Sequence, residues 1–211
     1  ALQRAALLLE NGKVVIGYGG NYGDCETYWG WLVGAPESGS GKLLTFQVEP
    51  SATQGAIWGS GNGPALDATG DIYAATGNGS SSSPDYGEAV LKLDPNLNLL
   101  AWWTPANWHS LDQSDLDLGG SGPLLLPNNL LFQTGKDGNG YLLRTTSLGG
   151  GVSAPLASAH MCSSEMHGGA IYLAATRTIY AACDSGLVAA SLNPTTPSVT
   201  KLNSFAAPSG A

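Results

Sequence analysis

A unit of four short strands recurs along this chain, and few architectures accept such a unit. Its fullest copy runs from Gly59 to Pro105. Pro64 to Ala68 is apolar, and Ala68-Thr69-Gly70-Asp71 is a turn. Ile72 to Thr76 alternates apolar and small residues and stops at Gly77-Asn78-Gly79. After a polar loop, Ala89 to Leu93 alternates again, Asp94-Pro95-Asn96 turns the chain, and Leu99 to Trp103 is a final apolar strand. Short β-rich runs separated by Gly, Asn, Asp and Pro are what hairpin-linked antiparallel strands require.

The other copies follow the same plan. The first has Ala5 to Leu9, a turn at Asn11-Gly12 and Val14 to Tyr18, then strands around Gly30 to Gly34 and Leu43 to Val48. The third has Pro123 to Leu126, a turn at Pro127-Asn128-Asn129, Leu130 to Thr134, and an outer strand over Tyr141 to Arg144. The fourth has Gly169 to Leu173, a turn near Arg177, Thr178 to Ala182, Leu187 to Leu192 and Val199 to Leu202. The inner turns at Gly12, Gly70, Asn129 and Arg177 lie 58, 59 and 48 residues apart by subtraction. A period near 50 built from four short strands predicts an all-β propeller of four-stranded antiparallel blades, about four in this chain. No segment sustains a 3.6-residue apolar period, which excludes helical solenoids. A two-layer sandwich is the plainer alternative. The expected blades span about 1–55, 56–110, 111–160 and 161–211. Four blades either close as a compact ring or form an arc of a seven- or eight-bladed one. The chain opens in mid-strand and ends leading outward, which favours the arc, as a mature or trimmed piece with no signal peptide in view.

Composition excludes several functions. Only 11% of residues are charged, net charge is −8, and Lys plus Arg number eight, so no basic stripe exists to neutralise phosphates. Nucleic acid is not an expected partner. No apolar run reaches 18 residues, so no membrane span is expected. Low charge, abundant Gly, Ser and Asn, and an Asn78-Gly79-Ser80 sequon suggest a secreted or periplasmic protein. Cys162 and Cys183 flank one hairpin at a separation that suits a disulfide stapling the fourth blade, which leaves Cys25 alone. His160 and His167 bracket Cys162, but a fourth zinc ligand at suitable spacing is missing.

Ala89-Val90-Leu91-Lys92-Leu93-Asp94 followed by Leu99-Leu100-Ala101-Trp102-Trp103 resembles the quinoprotein-type repeat, a strand ending in Leu-Asp, a turn, and a Trp-terminated strand. With Gln3 to Leu9, Gly23-Asp24-Cys25, Asp115 to Gly119 and Gly135-Lys136, nearly the whole chain is similar to PQQ-like (pyrroloquinoline quinone-like) β-propeller repeat proteins. In the alcohol dehydrogenases of that superfamily an eight-bladed propeller holds the quinone and a calcium ion over its channel. The resemblance implies Asn78, in Gly77-Asn78, as a calcium ligand, with Asp24 or Glu26 as the acidic one. It implies Thr104-Pro105-Ala106-Asn107-Trp108 as the segment leading to the general base, which would be Asp117. Lys136 would stand beside the quinone oxygens, with Trp108 and Arg4 as further cofactor contacts. Calcium takes oxygen ligands and would polarise a quinone carbonyl while a carboxylate accepts the alcohol proton. The chain departs from those enzymes in having no pair of adjacent cysteines.

Each of these residues has a plainer reading. Gly77-Asn78-Gly79 suits a turn needing positive φ. Asp112, Asp115 and Asp117 suit solvated or backbone-capping carboxylates on a long loop after Trp108, Lys136 a turn residue, and Arg4 a bridge between blades. The six tryptophans suit space-filling between sheets. The leading expectation is therefore a PQQ-like binding or scaffolding module completed by further blades or a second copy. The alternatives are a PQQ- and calcium-dependent dehydrogenase of an alcohol or sugar, and a carbohydrate-binding or structural module that takes a glycan.

Overall fold

The middle strands of the second and third sheets send alternate residues to two different cores. In the computed structural model, which describes residues 2–20 and 26–208, this alternation organises the molecule. The strand β6 (Ile72–Ala75) turns Ile72 and Ala74 into one apolar cluster, while Tyr73 faces another. Side chains of a strand alternate between faces, so one strand can serve two cores only if sheets stack on both sides of it. That is the arrangement of radially packed blades, not of a sandwich with a single interior.

Four sheets carry it. Blade 1 contains β1 (Leu8–Glu10), β2 (Lys13–Tyr18), β3 (Trp31–Pro36) and β4 (Leu44–Gln47), hydrogen-bonded in sequence order. Blade 2 contains β5 (Ala65–Leu66), β6, β7 (Val90–Leu93) and β8 (Leu99–Thr104). Blade 3 contains β9 (Leu124–Leu126), β10 (Leu130–Thr134), β11 (Asn139–Arg144) and an outermost β13 (Ala157–His160). Its β12 (Gly151–Val152) leaves the blade and pairs parallel with β8 of blade 2, and Trp103 Nε1 donates to Ser153 O at 2.9 Å to hold it there. Blade 4 contains β14 (Ala170–Leu173), β15 (Thr178–Cys183), β16 (Gly186–Asn193) and β17 (Ser198–Ala206).

Three apolar layers fill the gaps between successive blades. Val15, Leu32 and Val48 of blade 1 meet Ile72, Leu91 and Leu93 of blade 2. Tyr73, Val90 and Trp103 meet Leu131, Tyr141 and Leu143 of blade 3. Leu130, Phe132 and Leu142 then meet Ile179, Val188 and Leu192 of blade 4. The innermost strands β1, β5, β9 and β14 touch in that order, and among the described residues no comparable contact joins blade 4 back to blade 1. The four blades form part of a propeller, as the arc expectation has it. The far faces of its end blades are apolar and open: Leu9 on blade 1, and Ile171, Leu187 and Phe205 on blade 4, are all exposed.

Two sequence expectations need correction. Tyr141 to Arg144 is not the outer strand of blade 3, because Ala157–His160 pairs outside it. That strand reads Ala-Ser-Ala-His, too small and polar to announce itself. The stretch after Trp108 is not a plain loop but a short helix, α1 (Trp108–Ser114), ended by Asp115 in the left-handed region at φ 54°. Two turns are too few to register as a helical period.

Cys162 and Cys183 form the disulfide expected of them, with Cα atoms 6.1 Å apart. It ties the loop entering blade 4 to the end of β15. The bond closes a loop across a separation of 21 residues, so its reduction should cost about 3 kcal/mol of unfolding free energy. Urea denaturation with and without reductant measures this, and a Cys162→Ser, Cys183→Ser double variant should match the reduced protein. Among the described residues no helix is long and apolar enough to cross a membrane.

Candidate functional site

The loops that follow β6 and β10 meet the stretch between α1 and β9, and several polar side chains collect there. Asn78 follows β6, Lys136 follows β10, and Asp117 lies between α1 and a 3-10 turn at Leu118–Gly120. The loop that carries Asp117 is held from beneath by the buried Gln133, whose Nε2 donates to Leu118 O at 2.9 Å and to Ser121 O at 3.2 Å.

Three residues singled out by sequence are brought into direct contact. Asn78 N donates to Asp117 Oδ1 at 2.8 Å, and Lys136 Nζ lies 2.5 Å from Asp117 Oδ2. Asp115 joins them, accepting from Asn78 Nδ2 at 2.8 Å and standing 3.5 Å from Lys136 Nζ. Asn78, Asp117 and Lys136 are each under 9% exposed, whereas the Asp115 side chain is 71% exposed. Burial raises Asp117 above the usual carboxylate range, and Lys136 pulls it part of the way back. Burial works to lower Lys136, but the hydrogen bond and charge of Asp117 outweigh it and keep the ammonium above its ordinary value.

The Gly77-Asn78-Gly79 turn owes its composition to packing. None of the three residues has positive φ, contrary to the plain turn reading. A Cβ on Gly77 would strike Asp117 Oδ1, and one on Gly79 would strike Glu49 Oε1. The segment is threaded between a carboxylate of blade 1 and one beside blade 3, which only glycine permits on both sides of Asn78.

Arg4 reaches the cluster through Trp58. Its guanidinium lies 4.8 Å from the Trp58 ring centroid and Lys136 Nζ lies 4.7 Å from the same ring. An indole holding two cations within about 6 Å is a cation–π platform. Trp108 is not part of this cluster: it opens α1 and lines a separate cleft with Glu49, Asp85 and Asp112. Asp24 and Cys25 lie outside the described residues, and Glu26 is exposed. His160 contacts Asn139 Oδ1 at 3.2 Å, and His167 gathers Glu165 and Asp184 rather than His160.

Two carboxylates escaped the sequence reading. Glu88 is fully buried, accepts from Leu118 N at 2.6 Å through Oε2, and is raised well above its ordinary value by burial and then by the Asp117 charge. Glu49 is pushed up to about 8 by burial and by the charge of Asp85. The available signal was an acidic residue abutting an apolar strand, Glu88 before Ala89-Val90-Leu91 and Glu49 after Phe46-Gln47-Val48. Trp58 carried no signal beyond being one of six tryptophans.

No family model and no curated protein matches the chain. Solved structures do. BamB from Moraxella catarrhalis superposes with a TM-score of 0.54 at 15% identity, over 94% of this chain and 48% of that one. Quinohemoprotein alcohol dehydrogenase ADHIIG from Pseudomonas putida HK5 gives 0.61 at 15% identity, over 92% of this chain and 38% of that one. The chain shares its β-propeller fold with these structures. U3-55K also superposes on this propeller, with a TM-score of 0.56 at 10% identity over 96% of this chain and 54% of that one. The propeller therefore spans about half the length, or less, of the solved structures it matches. Identities this low speak for fold alone.

Proposed function

We propose that this propeller is an exported binding or scaffolding module whose clustered face takes a flat, carbonyl-bearing ligand of the quinone type together with a hard cation. The observation behind this reading is the convergence of Asn78, Asp117 and Lys136, from two blades, beside the Trp58 platform. Trp58 offers a stacking surface, and Arg4 and Lys136 offer positive charge to carbonyl or carboxylate oxygens. Asn78 Oδ1 is buried without a hydrogen-bond partner, with the carboxylates of Asp115 and Asp117 beside it. An amide oxygen and carboxylates are the donors calcium takes, so these residues fit such an ion.

Binding without turnover is favoured by the state of Asp117. One of its oxygens accepts from Asn78 N and the other is paired with Lys136, and the residue is 4% exposed. A carboxylate so engaged is poorly placed to accept a substrate proton. The second reading, a quinone- and calcium-dependent dehydrogenase of alcohols or sugars, draws on the orphaned Asn78 Oδ1. In it Asn78 and Asp115 would hold calcium and Lys136 would face the quinone oxygens, while Asp117, freed from Lys136, would take the proton. Calcium and quinone would supply Lewis acidity and the hydride acceptor. Export is supported by the disulfide. The open apolar faces of blades 1 and 4 fit further blades or a second copy.

Titration with PQQ and calcium, followed by tryptophan fluorescence and by dye reduction with alcohols and sugars, separates the readings. Quenching that a Trp58→Leu variant loses, without dye reduction, is the expected result. Dye reduction abolished in Asp117→Ala would replace it with the dehydrogenase, and absence of any quenching would overturn both. A glycan array addresses the carbohydrate-binding alternative.

A further inference from the structure

We infer that the loop entering blade 4 and the turn after β15 form a site for a divalent ion of the zinc class, bound through His167 Nε2 and Glu165, with Asp184 fixing the imidazole from behind. The local sequence prepares it. In Met161-Cys162-Ser163-Ser164-Glu165-Met166-His167, the buried Met161, Cys162 and Met166 belong to the layer between blades 3 and 4, and the two neighbours of Met166 stay partly exposed. Asp184 comes up beside them because the Cys162–Cys183 disulfide ties the two stretches together, and Asp184 N donates to Glu165 O at 3.0 Å. Ser185 N donates to Ser164 Oγ at 3.2 Å as a further tie.

The observation that points to an ion is the contact of His167 with Glu165. One ligand atom from each of Glu165, His167 and Asp184 lies within 4.8 Å of the other two. Asp184 Oδ1 is 2.8 Å from His167 Nδ1, which makes Nδ1 the nitrogen that carries the proton. In a neutral ring Nε2 then presents a lone pair, and it presents it to Glu165 Oε2 at 3.4 Å. Two electron-pair donors face to face repel unless a cation joins them. That 3.4 Å is longer than the about 2.7–2.9 Å of a charge-assisted hydrogen bond, but it suits the edge of a tetrahedron whose centre lies about 2.0–2.1 Å from each donor. A carboxylate on the far nitrogen is the usual outer support of a metal-bound histidine, and Asp184 fills that place. Among the described residues no Lys or Arg forms an ion pair with Glu165 or Asp184.

The donors select the ion. Zinc and its neighbours in the transition series accept an imidazole with a carboxylate, whereas calcium seeks oxygens alone. All three side chains are partly exposed, so water can take the remaining positions, and His160, which contacts Asn139, is not needed as a ligand. The site borders the Asn78 cluster without sharing a residue with it: a Cβ on Gly120 would lie 3.2 Å from Lys136 Cγ and 3.7 Å from His167 Cδ2. It stands whether or not the quinone reading does.

Zinc titration against a chromogenic chelator, with imidazole nitrogen NMR, tests this. Of the three histidines, His167 alone should shift, at Nε2, while its Nδ1 keeps the proton. His167→Gln should weaken binding by about a hundredfold or more, Glu165→Gln and Asp184→Asn each by about 10- to 100-fold, and Asn78→Ala by less than about twofold. Calcium at about 10 mM should not displace the zinc. The substituted side chains are partly exposed, so the variants should fold, which their melting without zinc checks. Absence of zinc binding at about 1 mM would overturn the site, His167 then bridging the two carboxylates as an imidazolium. So would binding that shifts His109 or His160 instead, or that Glu165→Gln and Asp184→Asn leave unchanged.

Discussion

Replacing Lys136 with methionine should destabilise the protein by about 3–5 kcal/mol near neutral pH, although the new side chain fills similar space. The ammonium is 7% exposed and its partner Asp117 is more deeply buried still, at 5%, so the substitution leaves a carboxylate in the interior with no counter-charge. An exposed ion pair would cost no more than about 1 kcal/mol on the same change. The remaining contacts of Asp117, from Asn78 N above all, cannot replace the charge. Asp117 will then take up a proton, because burial already raises it even with Lys136 present. A carboxyl raised in the folded state keeps its proton there after the unfolded chain has lost it, so its favourable contribution is lost as pH rises. The penalty of Lys136→Met should therefore be smaller at pH 5 than at pH 8. Adding Asp117→Asn should recover most of the loss, because it is the unpaired charge that is costly. Urea denaturation of the two single variants and the double variant at both pH values measures all of this. A loss below about 1 kcal/mol at pH 8 would mean that the pair is solvated.

The fold was legible because strand alternation and turn chemistry are local. Ile72 to Thr76, Ala89 to Leu93 and Leu130 to Thr134 are bounded by Gly, Asn and Asp, and each became a strand within a residue or so of its expected limits. What escaped was set by tertiary contact. The strand at Ala157–His160 is defined by pairing with β11 rather than by its own residues, and α1 is too short to carry a period. At the site, the resemblance singled out Asn78, Asp117 and Lys136, and the first and last follow the second strands of neighbouring blades, where Asp117 contacts both. Asp115 and Trp58 could not be reached that way, because their partners lie in other blades: Asp115 accepts from Asn78, and Trp58 stacks under Lys136 and Arg4. The glycines of Gly77-Asn78-Gly79 show the same limit. A sequence displays that a side chain is missing, not which carboxylate approaches the space.

Glu88→Gln should flatten the dependence of stability on pH. The carboxyl is fully enclosed where β7 begins, with Oε2 taking the amide of Leu118 and Oε1 left without a partner. Burial holds it well above its ordinary value of 4.5, and the neighbouring Asp117 charge adds to that. Below about pH 4.5 folded and unfolded chains both hold the proton, and Glu88 gives no slope. Above that, and up to its folded value, only the folded chain keeps it, so each unit rise in pH favours unfolding by about 1.4 kcal/mol from this one group. Glutamine has nearly the same shape, can still accept from Leu118 N, and releases no proton. The variant should therefore match the parent protein near pH 5 and be the more stable of the two at pH 8. Denaturation midpoints across that range decide it, and parallel curves for the two proteins would mean that Glu88 is ionised in the folded state, with a compensating positive charge near Oε1.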